Sequence, residues 1–291
     1  MRPTILSLCL MVALLVGLVS SGWANSLQDL LKAAEKGSAR AQFKLGLMYQ
    51  KGDGVSQSYE MAAKWHKQAA KQGLPEAQDR LGFLYTFGNG VPWDRAEALR
   101  WYRRAVAQGY ARAQFNLGVM HYRGLGVPVG YKNARKFWEL AAEQGYAEAE
   151  YRLGLLYELA RGVDRSQETA ESWYRRAAKK GHGASQFKLG WMYRKGISVE
   201  EDDKTAVMWF QRSAEDGYLK AMFNLAVMYN IGRGVRKDRK YAYMWASLAS
   251  ARGNKYGTEV KHHLTKLMSK AEVAAAKELA QECLRKNYKG C

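Results

Sequence analysis

A spacing of 36 residues governs most of this chain. Leucine recurs at this spacing six times, and each leucine is followed by a small residue, glycine in five units and alanine in the sixth. Four residues after each leucine stands a ring, tyrosine in five units and histidine in the third. The leucines are Leu45, Leu81, Leu117, Leu153, Leu189 and Leu225. A period of this length indicates tandem supersecondary units that stack on one another.

Each unit is predicted to contain two helices. In the second repeat Ala77, Leu81 and Tyr85 share one face of a helix over residues 75–87, and the glycine turn that follows ends that helix. The next helix begins at a residue type that favours N-caps, and these residues are also 36 apart: Ser58, Asp94, Gly130, Ser166, Asp202 and Asp238. We expect the tryptophan of the second helix, such as Trp101, to fill the space beside the mid-helix glycine. This turn recurs in all six repeats, as Gly-x-Gly in four of them, and therefore indicates architecture rather than a phosphate loop.

The repeated pattern resembles a known family. It is A-x-A-x-x-x-L-G-x-x-Y-x-x-G-x-G-V, followed by A-x-x-W-x-x-x-A-A-x-x-G, and it resembles the Sel-one-like repeat, a relative of the tetratricopeptide repeat. The resemblance implies an all-α fold, a right-handed α/α solenoid of about six helix-turn-helix repeats. It also implies an adaptor, assembly factor or signalling regulator. Some bacterial members are linked to β-lactam hydrolysis, but those carry a cysteine pair in each repeat, which this chain lacks.

The sequence divides into four parts. Residues 1–24 are predicted to be a signal peptide, 25–37 an N-terminal capping half-repeat, 38–253 the six repeats, and 254–291 capping helices with a tail. Helices are expected over 256–268 and 270–286, the second opened by a capping box of Ser269 and Glu272. We interpret this pair as a lid on the last repeat, the alternative being a detachable helix that binds a partner.

The first residues have the pattern of an export signal. Arg2 precedes an apolar stretch over 5–19, and small residues at Gly22 and Ala24 predict cleavage after Ala24, with an uncleaved anchor as the alternative. No later apolar run is long enough to span a bilayer. We therefore expect a bacterial periplasmic or secreted protein. Cys283 and Cys291, the two cysteines that remain after cleavage, are predicted to form one disulfide.

Catalytic, cofactor and metal sites have no support in the sequence. His121 takes the tyrosine position of its unit, which favours a packing role, and His262 and His263 are adjacent and point to different sides of a helix. No serine or cysteine lies in a nucleophile-elbow context. We therefore predict no enzyme, no cofactor and no metal.

A row of hydrogen-bond donors is the strongest candidate for a binding surface. One position before each repeated leucine the residue is a cation or an amide, never an acid, and Arg112 lies on the same side together with aromatic residues that include Phe83 and Trp191. In tetratricopeptide-like stacks the first helices line a concave wall. We call this row the donor ladder; it consists of Lys44, Arg80, Asn116, Arg152, Lys188 and Asn224.

The net charge of +19 favours an anionic partner. The leading prediction is a non-enzymatic scaffold that binds an acidic or C-terminal peptide segment of an envelope protein in its concave groove. The second is a binder of anionic envelope polymer, peptidoglycan or lipopolysaccharide, and the third, a β-lactamase-like hydrolase, lacks the cysteines. Nucleic acid is not expected in an exported compartment. A ladder that is only a solvated face remains the alternative to a groove.

Overall fold

A computed structural model describes residues 21–291, with side chains from Ser26 onward. The predicted signal peptide, residues 1–24, lies almost wholly outside this range, so its cleavage stays a prediction. The described residues form fifteen α-helices and no β-strand. Helix α1 is Ser21–Glu35. The first helices of the six repeats are α2 Ala39–Lys51, α4 Pro75–Phe87, α6 Ala111–Arg123, α8 Ala147–Glu158, α10 Gly183–Lys195 and α12 Leu219–Ile231.

The second helices alternate with the first, and two more helices follow the repeats. The second helices are α3 Tyr59–Lys71, α5 Arg95–Ala107, α7 Tyr131–Glu143, α9 Gln167–Lys179, α11 Asp203–Glu215 and α13 Arg239–Ala251. The chain closes with α14 Lys255–Leu267 and α15 Lys270–Arg285. The predicted all-α class of helix-turn-helix repeats is confirmed. None of the helices within the described residues has the length and apolar character to cross a bilayer.

The predicted N-caps form in five of the six repeats. Ser58 accepts a hydrogen bond from the backbone N–H of Met61, and Asp94 accepts from two backbone N–H groups at the start of α5. Ser166, Asp202 and Asp238 act in the same way, while Gly130 has no side chain to offer. These oxygens satisfy backbone donors that a helix start otherwise leaves without partners, so the caps fix where each second helix begins.

The turn between the two helices needs glycine for a reason beyond its dihedral angles. Gly90, the second glycine of its turn, has a φ of 69°, and a β-carbon there would lie 2.1 Å from the carbonyl of Tyr59 in the preceding repeat. The turn of one repeat thus packs against the start of the previous second helix. Two turns depart from this pattern, because Ala160 and Ser198 adopt positive φ with a side chain.

The space beside the mid-helix glycine is filled by a different residue from the one predicted. A β-carbon on Gly82 would lie 2.9 Å from the ring of Tyr102, not from Trp101. The equivalent residues Tyr174 and Phe210 face Gly154 and Gly190, and His66 faces Gly46. The expectation for tryptophan was wrong by one residue, because 100° of helix rotation separates neighbours and only the later residue points at the glycine.

The tryptophans lie beside this contact. Trp101 and Trp209 are each 6% exposed, and an arginine one turn later covers each ring. The Arg104 guanidinium lies 4.6 Å from the ring centre of Trp101, and Arg212 lies 5.0 Å from Trp209. The tryptophan therefore joins the apolar core to the charged surface of its helix.

The described chain divides into two compact units, the first ending at Phe137 and the second beginning at Trp138. The division falls within α7. Within each unit, consecutive helices pack in chain order. Core clusters join residues of neighbouring helices; in the first unit Leu117 and Met120 pack with Leu99 and Tyr102.

Buried glutamines tie one repeat to the next. In the first unit the Gln42 amide donates to the carbonyl of Ala34 at 3.0 Å and accepts a hydrogen bond from Gln72 at 2.7 Å. Gln78 repeats this arrangement 36 residues later, donating to Ala70 and accepting from Gln108. An amide suits this position because it can donate to a helix-end carbonyl and accept at the same time.

The fourth repeat replaces this amide with a carboxylate. Glu150 is fully buried, and its Oε1 accepts from Lys180 at 2.8 Å and from Arg176 at 3.1 Å. A carboxylate cannot donate, and Arg176 takes over that task by donating to the carbonyl of Ala142. Where Glu150 replaces the glutamine of other repeats, Lys180 replaces its glutamine partner, which lies 30 residues later in the chain.

The C-terminal helices pack on the last repeat. Helices α14 and α15 both contact α13, and α15 buries Ala276, Ala280 and Cys283. The predicted capping box is present, with Ser269 and Glu272 each accepting from the other's backbone N–H. Cys283 and Cys291 form a disulfide with an S–S distance of 2.08 Å. The tail that follows α15 reaches α11 through Lys289, which binds Asp216 at 2.9 Å.

Candidate partner-binding surface

The donor ladder runs along the first helices, one residue before each buried leucine. Lys44 is exposed, four members are half-buried, and Asn224 is buried. The repeat geometry therefore brings each member to the same place in its own repeat. It does not leave most of them free, because carboxylates and other side chains of the same chain already bind them.

In the first unit a buried aspartate binds two of the predicted site residues. Asp79 is 1% exposed, and its carboxylate accepts from Arg112 Nε at 2.6 Å and from Asn116 Nδ2 at 2.7 Å. Burial raises the pKa of Asp79 because removal from water disfavours its charge more than Arg112 and Asn116 stabilise it. Arg80 lies next to Asp79 in sequence and is half-buried.

Sequence analysis missed Asp79, although a signal was present. At 36-residue spacing this position is aromatic in the other repeats: Phe43, Phe115, Tyr151, Phe187 and Phe223. Asp79 breaks that series. A carboxylate at a core position requires a donor nearby, and Arg112 and Asn116 of the next repeat supply it.

In the second compact unit, which begins at Trp138, Arg152 belongs to a cluster centred on Glu148. Arg152 binds Glu148 within α8 at 2.9 Å, and His182 Nε2 lies 2.8 Å from the other carboxylate oxygen. Nδ1 of His182 accepts from the backbone N–H of Ser185 and so caps α10. Burial acts to raise the pKa of Glu148, but the hydrogen bond from His182 and the charge of Arg152 outweigh it and lower the pKa overall.

Lys188 is held by an acid of the preceding repeat. Its ammonium lies 2.7 and 2.8 Å from the two oxygens of Glu158. The Tyr174 hydroxyl donates to the same carboxylate. Burial, and then this hydrogen bond, raises the pKa of Tyr174 far above the ordinary range, so the hydroxyl remains a donor. Lys188 is 25% exposed as a result.

Arg194 contacts both Asn224 and Trp191. The Arg194 guanidinium donates to Asn224 Oδ1 at 2.8 Å, while Asn224 Nδ2 donates to the carbonyl of Lys220. The same guanidinium lies 5.6 Å from the ring centre of Trp191, and Lys195 lies 5.4 Å from it. Trp191 is 38% exposed. Phe83 occupies the equivalent position in the first unit, half-buried against Phe87 with ring centres 4.7 Å apart.

The polar residues of the ladder and its surroundings therefore fall into two groups. Arg112, Asn116 and Lys188 join helices through charged hydrogen bonds, and Arg152 binds an acid of its own helix. Replacing one of them would disturb the fold as well as any binding. Lys44 is exposed without a carboxylate partner among the described residues. Lys195, beside Trp191, is likewise exposed and has no carboxylate partner there. The arrangement can offer exposed cations and an indole ring to an anionic partner.

A family model described as "Sel1 repeat" matches six consecutive segments, residues 39–74, 75–110, 111–146, 147–182, 183–218 and 219–254. The chain belongs to the Sel1 repeat family. Each matched segment holds one first helix and one second helix of the structure, so the family pattern and the helix pairs have the same period. The chain is thus an all-α solenoid of six Sel1 repeats.

Solved structures of other Sel1 repeat proteins resemble this chain. A Sel1 repeat protein from Oxalobacter formigenes is 32% identical, with a TM-score of 0.76, and the match covers 79% of this chain and 95% of that one. The protein c5321, a protective antigen of uropathogenic Escherichia coli with an SLR fold, is 25% identical with a TM-score of 0.52, and the match covers 91% and 73%. No curated protein matches this chain.

Proposed function

We propose that this Sel1 repeat protein is a non-enzymatic scaffold that binds an acidic segment of a partner protein. The Sel1 repeat is a scaffold fold for protein–protein interaction. The finer proposal assigns the partner's acidic or C-terminal segment to the surface of the first helices that carries the donor ladder. We further propose that the protein is exported and that its partner is a protein of the bacterial envelope.

The exposed Trp191 is the observation on which the proposal rests. Tryptophan and arginine are the residues most often found at the energetic centre of protein interfaces. Here the exposed indole ring of Trp191 lies within 6 Å of both Arg194 and Lys195. The ring offers apolar area to a peptide backbone, and the two cations offer charge to its carboxylates. We call Trp191, Arg194 and Lys195 the Trp191 patch.

The overall charge favours an acidic partner. A net charge of +19 on 291 residues attracts anions over distances longer than a direct contact and speeds their encounter with the protein. Charge alone does not select a protein over a polymer. Selectivity would come from the aromatic ring, which gains most from a segment that can lie flat against it.

The proposal is tested by binding of a fluorescently labelled acidic peptide with a free C-terminus, measured by anisotropy. We expect Trp191→Ala and Lys195→Glu each to weaken binding at least tenfold. Lys277→Glu is the matched control, since Lys277 is an exposed lysine of α15 and its replacement makes the same change in charge. Circular dichroism of each variant checks that the helices are intact.

Two outcomes would refute the proposal. If Lys277→Glu weakens binding as much as Lys195→Glu does, the attraction is general electrostatics and the Trp191 patch has no role. If the peptide does not bind but peptidoglycan or lipopolysaccharide does, with affinity that falls steeply with salt, the partner is an anionic envelope polymer.

A further inference from the structure

A cleft in the first unit has polar walls that no internal partner occupies. It lies among α5, α6 and α7 and has a volume of about 360 Å³. Leu117 and Phe137 contribute apolar surface to it, and Arg103, His121, Asn133 and Lys136 contribute polar groups. No acidic side chain lines it.

The two cations of this cleft differ from most of the cations along the donor ladder and beside it. Arg103 and Lys136 are exposed, and neither forms an ion pair or a side-chain hydrogen bond within the described residues. Their charges therefore remain available to a ligand. By contrast, Arg152 and Lys188 of the ladder and Arg112 beside it are each bound to a carboxylate.

The equivalent cleft one repeat earlier is neutralised from within. It is lined by residues 36 positions before those described, among them Lys67, Tyr85, Glu97 and Arg100. Glu97 binds Arg100 at 2.6 Å. Asn133 stands where that glutamate would be in the α5–α6–α7 cleft, so Lys136 lacks the partner that Arg100 has.

A second internal comparison, in the other unit, explains Arg103. Arg175 occupies the equivalent position two repeats later, where it binds Glu171 and donates to the Tyr193 hydroxyl at 3.0 Å. In the α5–α6–α7 cleft both of these acceptors are changed. Leu99 stands in place of the glutamate, and His121 stands in place of the tyrosine.

We propose that the α5–α6–α7 cleft binds a carboxylate attached to an apolar group. Arg103 and Lys136 would bind the carboxylate, and Asn133 would donate a neutral hydrogen bond to it. The apolar group would rest on Leu117 and Phe137. A cleft of this volume lies at the small end of the range for ligand sites and accommodates one amino-acid-sized group.

His121 completes the site without adding charge. Its ring stacks on Phe137 with ring centres 5.5 Å apart and planes 16° apart. Burial, and then the charge of Arg103, lowers the pKa of His121, so the imidazole is neutral near pH 7 and keeps one N–H donor. Tyrosine, the residue of the other repeats, would fill more of this space with its longer side chain.

The probe for this site is N-acetyl-L-phenylalanine, which has a carboxylate and an apolar ring. We expect it to bind the full chain, as measured by calorimetry, at least ten times more tightly than N-acetyl-L-phenylalaninamide, which has the same ring without the charge. Binding should also shift the NMR resonances of the His121 ring. Equal affinity for the acid and the amide would overturn the proposal, as would full competition by inorganic phosphate alone, which lacks the apolar group.

The matched variants are Asn133→Glu and Asn133→Gln. The first supplies the glutamate that the preceding repeat carries at Glu97, and we expect it to pair with Lys136 and weaken binding of the probe at least tenfold. The second keeps a neutral amide and should bind within about twofold of the parent. Unchanged binding by Asn133→Glu, in a protein with unchanged melting temperature, would overturn the proposal.

A final comparison distinguishes a free small acid from a peptide end. A peptide that ends in phenylalanine with a free carboxylate would bind as tightly as the probe if the ligand is a peptide C-terminus, and at least tenfold more weakly if it is a free acid. Neither result depends on the Trp191 patch, since none of its residues lines this cleft. Failure here and failure of the proposed scaffold function are therefore distinguishable.

Discussion

Replacement of His66 by phenylalanine tests the buried aromatic position of the repeat. His66 is fully buried opposite Gly46, and neither ring nitrogen has a hydrogen-bond partner within the described residues. Burial, followed by the charges of Arg80 and Arg112, lowers its pKa from 6.5 to about 3. Phe210 occupies the equivalent position opposite Gly190, so the repeat accepts a phenylalanine there.

The sign of the pH effect follows from the lowered pKa. Below pH 6.5 the unfolded chain binds a proton at His66 that the folded chain does not bind, so the free energy of unfolding falls as the pH falls. Between pH 7.5 and pH 4.5 this single group should remove about 2.5 kcal/mol. His66→Phe abolishes that loss. A packing penalty of about 1–3 kcal/mol for the larger ring is the same at both pH values and cancels in the comparison.

Urea denaturation at the two pH values measures the effect, with circular dichroism and tryptophan fluorescence followed together. Agreement of the two probes is required because repeat arrays can unfold in parts. His262→Gln is the control, since His262 is exposed on α14. We expect its pH dependence to match that of the parent chain. If the His66→Phe variant also loses stability in parallel with the parent, His66 is protonated in the folded state and the reasoning fails.

Three further predictions concern stability, each measured by denaturation. Lys180→Gln should destabilise the chain by about 1–3 kcal/mol, because it weakens the pairing of the buried Glu150. Adding Glu150→Gln should restore most of this loss by recreating the glutamine pair of other repeats. If the stability losses of the two single variants simply add in the double variant, the pairing is contradicted. Gly190→Ala should destabilise the chain by about 1–3 kcal/mol, because the new β-carbon would lie 2.7 Å from the Phe210 ring. In a Phe210→Ala background, where that ring is absent, Gly190→Ala should cause no further loss of stability. Ser198→Gly should stabilise the chain by about 1 kcal/mol and raise the melting temperature, because Ser198 has a φ of 61° where the other repeats have glycine; an unchanged melting temperature would show that the turn is not strained.

Local features of the fold were predictable from the sequence. The helix over 75–87, the side-chain N-caps and the capping box at Ser269 all form as expected. Each depends on contacts among residues within about one helical turn, which the order of residues specifies directly. The two closing helices also lie within one residue of their predicted bounds.

Contacts between repeats were harder to predict. The ladder was identified as a row of donors, but the acids that bind it, Asp79 and Glu158, come from other positions of the neighbouring repeat. Lys188 lies 30 residues after Glu158, and Lys180 lies 30 residues after Glu150. The first pair joins two repeats and the second lies within one, so the offset is set by how successive helices pack, which a single 36-residue period does not reveal.

The amino-acid sequence by itself determined the period, the helices and the family of this protein, because those depend on short-range backbone chemistry repeated six times. Only the tertiary structure decided which charges are available. Arg112, Arg152 and Lys188 are bound to internal carboxylates, while Arg103 and Lys136 line an open cleft. The physical reason is that a charged side chain is available to a ligand only when no internal carboxylate binds it. Most of those carboxylates are distant in sequence, and only packing brings them within hydrogen-bonding distance.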